Sequence, residues 1–311
     1  MMITLGIDTS NYASSIAVID YEKNEVLLNE KQFLPVKQGE CGLRQQDAVF
    51  SHIKNLIDML ELVHSKFDLS RVQAVGVSVK PTNEEGSYMP CFLVGKLLSQ
   101  MVKAVKDIPV IQTTHQDGHL NSALFSLNNE SLYSQKIIVF HVSGGTTDMI
   151  LVDNGNIVET VGSSNDLFAG QAVDRLGVKL GFPFPAGVYV SQLAQQCDET
   201  IKPKVSVKGL SCNLSGLQNQ CEKLIADGRD NTYVCKYCLS FIARTLIKMA
   251  ENARKEFGNL PIVFVGGVMS SGTVKEIVQE NMENTYFVQP VFSSDNAIGT
   301  AAVAARKVIY G

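Results

Sequence analysis

Two segments roughly 135 residues apart repeat one pattern, and that repeat limits the fold more than any other feature of the chain. In the first, Leu5-Gly6-Ile7-Asp8-Thr9-Ser10-Asn11 passes into Ser15-Ile16-Ala17-Val18-Ile19-Asp20, and the turn Tyr21-Glu22-Lys23-Asn24 leads to Val26-Leu27-Leu28. In the second, Ile137-Ile138-Val139-Phe140-His141-Val142 meets Ser143-Gly144-Gly145-Thr146-Thr147-Asp148. The run Met149-Ile150-Leu151-Val152-Asp153 follows, then Asn154-Gly155-Asn156 and Ile157-Val158-Glu159. Each copy reads as successive strands joined through Gly, Ser, Thr, Asp or Asn. Such tips leave backbone N–H groups uncrowded, which suits a phosphate. Two copies, each opening about half of the chain, predict an internal duplication with a phosphate chain clamped between lobes. At 311 residues, two lobes of about 150 residues are the natural division. The expected domains are 1–130 and 131–311, with the last helix able to pack back on the first lobe.

Between and after the hairpins the pattern alternates helix and strand. Val49, Ile53, Leu56, Ile57, Leu60 and Val63 recur at helical spacing, 72–79 reads as a strand, and Phe92 to Val105 as a helix. Later, 240–257 reads as a long helix, and the strand 261–265 stops at Gly266-Gly267 before a further helix. A strand ending in Gly-Gly lets backbone approach a nucleotide closely, although a plain β–α turn has the same form. The segment 80–88 reads as a loop at a strand's carboxyl end.

The composition, 45% apolar and 19% charged, supplies ample core and excludes a disordered chain. A net charge of −4 carries no global basic footprint, so nucleic-acid contact requires a local patch or a partner protein. No run approaches the roughly 18 apolar residues of a membrane span, and the opening Met1-Met2-Ile3-Thr4-Leu5 reads as strand rather than leader. Seven scattered cysteines fit reduced thiols, and the location predicted is cytoplasmic. Cys235-Lys236-Tyr237-Cys238 has the spacing of a redox or zinc motif but lies in a helical stretch without a second pair, which predicts core packing.

Chemistry concentrates in His115-Gln116-Asp117-Gly118-His119, which holds two of five histidines. The spacing i, i+4 puts both imidazoles on one helix face, near enough to share a metal ion. The strand 109–112 precedes the pair, and Leu120, Ala123 and Leu124 mark the helix that follows. Strand-to-helix handovers are where ligands bind in open α/β sheets. Two histidines need a third ligand. Asp295, at the start of the small-residue helix that includes 300–305, is one candidate and is alternatively a helix cap. Two imidazoles and one carboxylate make a catalytic rather than a structural site. Asp117 is a rival carboxylate or a supporting partner. Asp174, on a helix before the Pro/Gly-rich stretch 181–187, suits ribose hydroxyls, or is a surface aspartate beside Arg175.

These residues together resemble the TsaD family, formerly the O-sialoglycoprotein endopeptidases or glycoproteases. Val142-Ser143-Gly144-Gly145-Thr146-Thr147, His115-x-x-x-His119, the Asp174-to-Gly187 segment, Leu214-Ser215-Gly216-Leu217, Gly266-Gly267-Val268 and Ser294-Asp295-Asn296 stand in that family's order and rough spacing. The resemblance implies a duplicated actin/Hsp70-like (ASKHA, ribonuclease H-like) α/β fold with a nucleotide cleft between two lobes. It implies an acyltransferase that moves threonylcarbamoyl from its adenylate to a tRNA adenosine. His115, His119 and Asp295 would bind one divalent metal, iron or zinc. Val142, Ser143, Gly144, Gly145, Thr146, Asp174, Gly187, Gly266, Gly267 and Ser271 would hold an adenine nucleotide, whether ATP, AMP or threonylcarbamoyl-AMP. Asp8 and Asn11 of the first hairpin are the expected catalytic side chains. The partners implied are TsaB-like and TsaE-like proteins, with tRNA met through a complex, no membrane, and a homodimer or heterodimer as the assembly.

The chain departs from the family pattern in three places. Ser10-Asn11-Tyr12-Ala13-Ser14 stands where the family carries Ser-Cys-Asp-Glu-Thr, so an acidic pair is missing. Lys80-Pro81-Thr82-Asn83-Glu84-Glu85-Gly86 replaces a Gly-Pro-Gly-Leu loop, and Thr146 replaces a histidine. A paralogue with another acyl or carbamoyl acceptor, or with a regulatory role, is therefore the alternative. A metallopeptidase is least favoured, because Gln116 occupies the place where His-Glu-x-x-His needs its general base.

Overall fold

In the computed structural model, residues 2–35, 43–293 and 296–311 are described. The order is β1 (Ile3–Thr9), β2 (Ala13–Asp20), β3 (Glu25–Phe33), α1 (Gln45–Lys66), β4 (Ala74–Lys80), α2 (Phe92–Lys106), β5 (Val110–Thr114) and α3 (His115–Leu127). Then come β6 (Lys136–Val142), β7 (Thr147–Asp153), β8 (Asn156–Ser163), α4 (Ala169–Lys179), α5 (Gly187–Ala194), β9 (Val207–Lys208), β10 (Ser211–Cys212), α6 (Ser215–Ala226) and α7 (Asn231–Phe257). The order closes with β11 (Ile262–Val265), α8 (Gly272–Asn281), β12 (Thr285–Phe287), α9 (Pro290–Ser293) and α10 (Ile298–Tyr310). The chain divides into two compact units, 1–129 with 291–311, and 130–290.

The repeated hairpins are the centres of two sheets with one topology. The first has the order β3-β2-β1-β4-β5 and the second β12-β11-β6-β7-β8. In each, the opening three strands run antiparallel and the two later strands add in parallel beside the first. This is a duplicated α/β fold of the actin/Hsp70-like type.

In the first unit, β1 and β2 are buried along their whole length, as expected of strands covered on both faces. Ile3, Leu5, Ile7, Ile16 and Val18 pack with Leu56, Met59 and Val63 of α1. The other side of the same sheet receives α10, which packs against α3, β1 and β4. That approach depends on missing side chains. A Cβ on Gly6 would lie 1.9 Å from Ala297 O, and one on Gly76 1.8 Å from Thr300 O. Thr4 Oγ1 also donates to Ala301 O at 2.9 Å. The continuous burial from Ile298 to Ala305 follows from that part of α10 being enclosed, whereas Lys307 to Tyr310 are exposed.

In the second unit, Phe140, Phe264 and Phe287 stack across β6, β11 and β12 with centroids 5.1 Å apart at each step. The helix read at 240–257 starts nine residues earlier in the chain, at Asn231, where Asp230 accepts from Thr232 N–H at 2.8 Å and caps it. Cys235 and Cys238 are fully buried in this helix, and burial pushes the Cys235 thiol up to about 12. The described cysteines are all free and buried; Cys41 lies outside the described residues.

Candidate functional site

In the first unit the site is built at the junction of β5 and α3. Thr114 caps α3: its Oγ1 accepts from Asp117 N–H at 3.0 Å and donates to Asp117 Oδ2 at 2.7 Å. The cap fixes the first helical turn, and the i, i+4 spacing then brings His115 and His119 together. Their Nε2 atoms lie 3.0 Å apart, with ring planes at 73°. Two ligands around one ion with metal–nitrogen bonds of about 2.0–2.1 Å sit about 3 Å from each other, so the pair fits a shared divalent cation.

Behind the pair lies Asp8, wholly buried at the end of β1. His115 Nδ1 is 3.1 Å from Asp8 Oδ1, and the Ser78 hydroxyl donates to the same oxygen. Asp8 Oδ2 is buried with no hydrogen-bond partner among the described residues. Burial pushes the Asp8 carboxyl up. The attraction of His115 and the hydrogen bonds of His115 and Ser78 outweigh it and hold the group at about 2. The carboxylate is therefore ionised at neutral pH.

Asp117 is not turned to the pair. Its oxygens take Asn83 Nδ2 at 3.1 Å and the Thr114 hydroxyl, which makes it a capping group that ties down the loop after β4. That loop is further held by Gln116 N–H donating to Pro81 O at 3.0 Å. Asn11 Oδ1 accepts from Gln45 Nε2 at 3.0 Å at the start of α1. Asp295 lies outside the described residues. The neighbouring Asn296 supplies a side chain that sequence reasoning missed, its Oδ1 accepting from Ile298 N–H at 2.9 Å and from Ser122 Oγ at 3.1 Å. Among the described residues no cluster of three or more His, Cys, Asp or Glu side chains is set to hold a metal.

The second unit holds a cavity of about 480 Å³ lined by Gly144, Asp174, Gly187, Gly267 and Ser271 among others. These five expected nucleotide residues come from four separate segments of sequence. Val142, Ser143, Gly145, Thr146 and Gly266 do not line it; they shape it. Ser143 Oγ accepts from Gly145 N–H and Thr146 N–H at 3.2 Å each, closing the hairpin tip. Gly266 has φ +111°, and a Cβ there would lie 2.2 Å from Val142 O, so only glycine lets the two strand ends meet. No atom would meet a Cβ on Gly144, Gly145 or Gly267 within 4 Å, so their backbone is open to a ligand. Asp174 Oδ1 accepts from Ala186 N–H at 2.8 Å and so fixes the turn into α5.

Reasoning from sequence missed Ser191, Gln192 and Gln195, which line the same cavity from α5 and the residue that follows it. Ser191 and Ser271 hydroxyls meet at 3.0 Å. The signal available was their spacing on a helix opened by Gly187: Gln195 stands i+4 from Ser191 and i+3 from Gln192, and so neighbours each of them on the helix surface.

Known proteins bear on both units. The family model described as "TsaD: tRNA N6-adenosine threonylcarbamoyltransferase" matches residues 27–302. A protein of Neorickettsia sennetsu named tRNA N6-adenosine threonylcarbamoyltransferase is 26% identical over 322 aligned positions, covering 99% of this chain and 94% of that one. Among solved structures, component A of the (R)-2-hydroxyglutaryl-CoA dehydratase of Acidaminococcus fermentans matches with a TM-score of 0.56 and 15% identity, covering 99% of each chain. The activator of the 2-hydroxyisocaproyl-CoA dehydratase of Clostridium difficile, solved with bound ADPNP, matches with a TM-score of 0.53 and 12% identity, covering 98% of this chain and 95% of that one. These structural likenesses speak for the fold. The family match spans most of the sequence, and the chain belongs to the TsaD family of tRNA N6-adenosine threonylcarbamoyltransferases, which are acyltransferases.

Proposed function

We propose that this protein transfers the threonylcarbamoyl group from threonylcarbamoyl-AMP to the exocyclic amine of a tRNA adenosine, releasing AMP. The observation that carries the reading is the convergence of Gly144, Asp174, Gly187, Gly267 and Ser271 on one cavity, in a chain of this family. The cavity would hold the adenylate: open glycine backbone for its phosphate, and polar side chains of α5 and Asp174 for the nucleoside. The Clostridium difficile activator, which binds ADPNP on the same fold, supports an adenine nucleotide here.

His115 and His119, with Asp295 as third ligand, would hold iron or zinc. When bound, such an ion supplies Lewis acidity toward the carbamoyl and phosphate oxygens. The work of the chain is positioning. The capped first turn of α3 aims the imidazoles, Asp8 acts on the reaction through His115, and Asn11 offers an amide at the tip of the first hairpin. In the transfer, the amine nitrogen bonds to the carbamoyl carbon, the carbon–oxygen bond to phosphate breaks with its electron pair leaving on AMP, and the proton given up by the amine passes to solvent.

A chain with net charge −4 gains from partners when it meets tRNA. TsaB-like and TsaE-like proteins are the proposed partners, in a cytoplasmic complex. An apolar row supports an association: Phe50, Ile53 and Ile57 of α1 and Leu93, Leu97, Met101 and Val105 of α2 are all exposed, at helical spacing. No helix among the described residues is long and apolar enough to cross a membrane.

The test supplies the purified chain, its TsaB-like and TsaE-like partners, threonylcarbamoyl-AMP and unmodified tRNA, and measures threonylcarbamoyladenosine by mass spectrometry of digested nucleosides. Product is expected. Its absence, while an established family member works in parallel, overturns the reading. The second reading, a paralogue with another acceptor, is favoured by Tyr12-Ala13 standing where the family carries its acidic pair. It predicts adenine-nucleotide binding without tRNA product.

A further inference from the structure

We propose that Asp8 is the positioning residue of the histidine pair: its carboxylate holds His115 in the Nδ1–H tautomer and so presents the Nε2 lone pair to a cation shared with His119. The inference rests on the metal reading above and adds what the ligand residues alone leave open, namely which ring nitrogen of His115 is the donor atom.

A carboxylate buried in a central strand such as β1 has to find donors, because leaving it unpaired costs several kcal/mol. Asp8 finds two on one oxygen, the Ser78 hydroxyl from β4 and His115 Nδ1 from α3 at 3.1 Å. A carboxylate only accepts, so Nδ1 carries the hydrogen. In a neutral imidazole the other nitrogen then carries the lone pair. That nitrogen, Nε2, is the one that lies 3.0 Å from His119 Nε2. Carboxylate, imidazole and ligand direction thus fall in one line, the arrangement by which a supporting carboxylate raises the basicity of a metal-binding histidine.

The three residues sit on separate elements, β1, β4 and α3, all of the first unit. Asp8 and Ser78 are fully buried, and His115 is 23% exposed. The carboxylate is therefore out of reach of a substrate and acts through the ring. Asp117 cannot take this part, since its oxygens are engaged by Asn83 and Thr114.

Two measurements test the proposal. In apo protein labelled with nitrogen-15 histidine, long-range proton–nitrogen correlation reads the tautomer directly, with His115→Gln assigning the signal. An Nδ1–H form at His115 is expected, and an Nε2–H form overturns the proposal. Zinc affinity is then measured by competition with a chromophoric chelator, and cobalt spectra are recorded, for wild type, Asp8→Asn and Asp8→Glu. Asp8→Asn is expected to weaken zinc binding about 10- to 100-fold and to alter the cobalt ligand-field bands. Asp8→Glu is expected to recover most of the affinity. Adenine-nucleotide affinity, read in the second unit, should stay unchanged in both variants. Zinc affinity in Asp8→Asn within about twofold of wild type, well short of that range, overturns the role of Asp8 alone. Wild type that binds neither zinc nor cobalt overturns the metal reading with it.

Discussion

Gly299 and Gly118 meet backbone to backbone: a Cβ on Gly299 would lie 1.7 Å from Gly118 O and 2.6 Å from Ser122 N. Gly118 is the fourth residue of the pentapeptide that carries both histidines, so the helix of the histidine pair is seated directly on α10. Gly299→Ala is expected to force the two helices apart and destabilise the first unit by about 3 kcal/mol, the upper end of overpacking costs. Urea unfolding followed by circular dichroism checks this, and a midpoint equal to that of wild type contradicts it.

The cavity of the second unit offers a substitution that fills space without straining backbone. A Cβ at Gly187 would meet only Val173 Cγ1, at 3.9 Å. Gly187→Leu is expected to lower adenine-nucleotide affinity at least tenfold, on the order of 1.4 kcal/mol, with the melting temperature unchanged. Calorimetric titration with a non-hydrolysable ATP analogue measures it. Unchanged affinity would remove Gly187 from the binding surface.

His52 gives a pH dependence whose sign is fixed by burial. Its Nδ1 lies 2.7 Å from Ser14 Oγ, and Asn55 donates to the same hydroxyl at 3.3 Å. Burial lowers its pKa below the usual 6.5, against the opposing effects of a Ser10 backbone hydrogen bond and of Asp8. The folded state then binds fewer protons than the unfolded chain just below that value. This contribution to stability is complete above 6.5 and declines as the pH falls through the window beneath it. His52→Gln should flatten the stability profile between about pH 7 and 5. A profile that keeps its slope in the variant assigns the dependence elsewhere.

Asp166 works in the opposite part of the scale. Burial is the largest single influence and raises its pKa, but hydrogen bonds from Ser215, Leu214, Leu167 and Asn213 together outweigh it and hold the group at about 2. With the folded value depressed, the stabilisation is present above the usual 3.8 and is lost as the pH falls toward 2. Because Asp166 accepts from Ser215 N–H and Leu214 N–H at the start of α6, Asp166→Ala should cost about 1–2 kcal/mol at neutral pH. A loss well below that at neutral pH in denaturant melts would show that the cap is dispensable.

The strands, helices and their duplication were legible in the sequence because apolar periodicity and turn residues act locally. The repeat of Leu5–Asp20 at Ile137–Asp153 announced the matching hairpins at the heart of the two sheets. The histidine pair was legible for the same reason, since four residues of helix suffice to bring two rings together. What escaped was determined by distant parts of the chain. Asp117 has the composition of a ligand, but Asn83 and Thr114 claim its oxygens, and nothing near Asp117 announces Asn83. Asp8 was placed in the chemistry, yet its contact with His115 depends on β1, β4 and β5 being neighbours in the sheet. Ser191 and Gln195 entered the cavity through the packing of α5, which local pattern does not encode. Asn296 emerged as a polar residue that fastens the start of α10.

The seating of α10 on β1, β4 and α3 also sets an order of events during synthesis. The second unit is one uninterrupted stretch of chain and can finish folding as it leaves the ribosome. The first unit waits for the last helix, because its glycine-lined sheet face and the helix of His115 and His119 stay uncovered until residues 298–310 have been made. The proposed cation would therefore be acquired only once residues 298–310 have been made, and a nascent chain stalled before Ile298 would carry a finished second unit and an unsupported histidine pair.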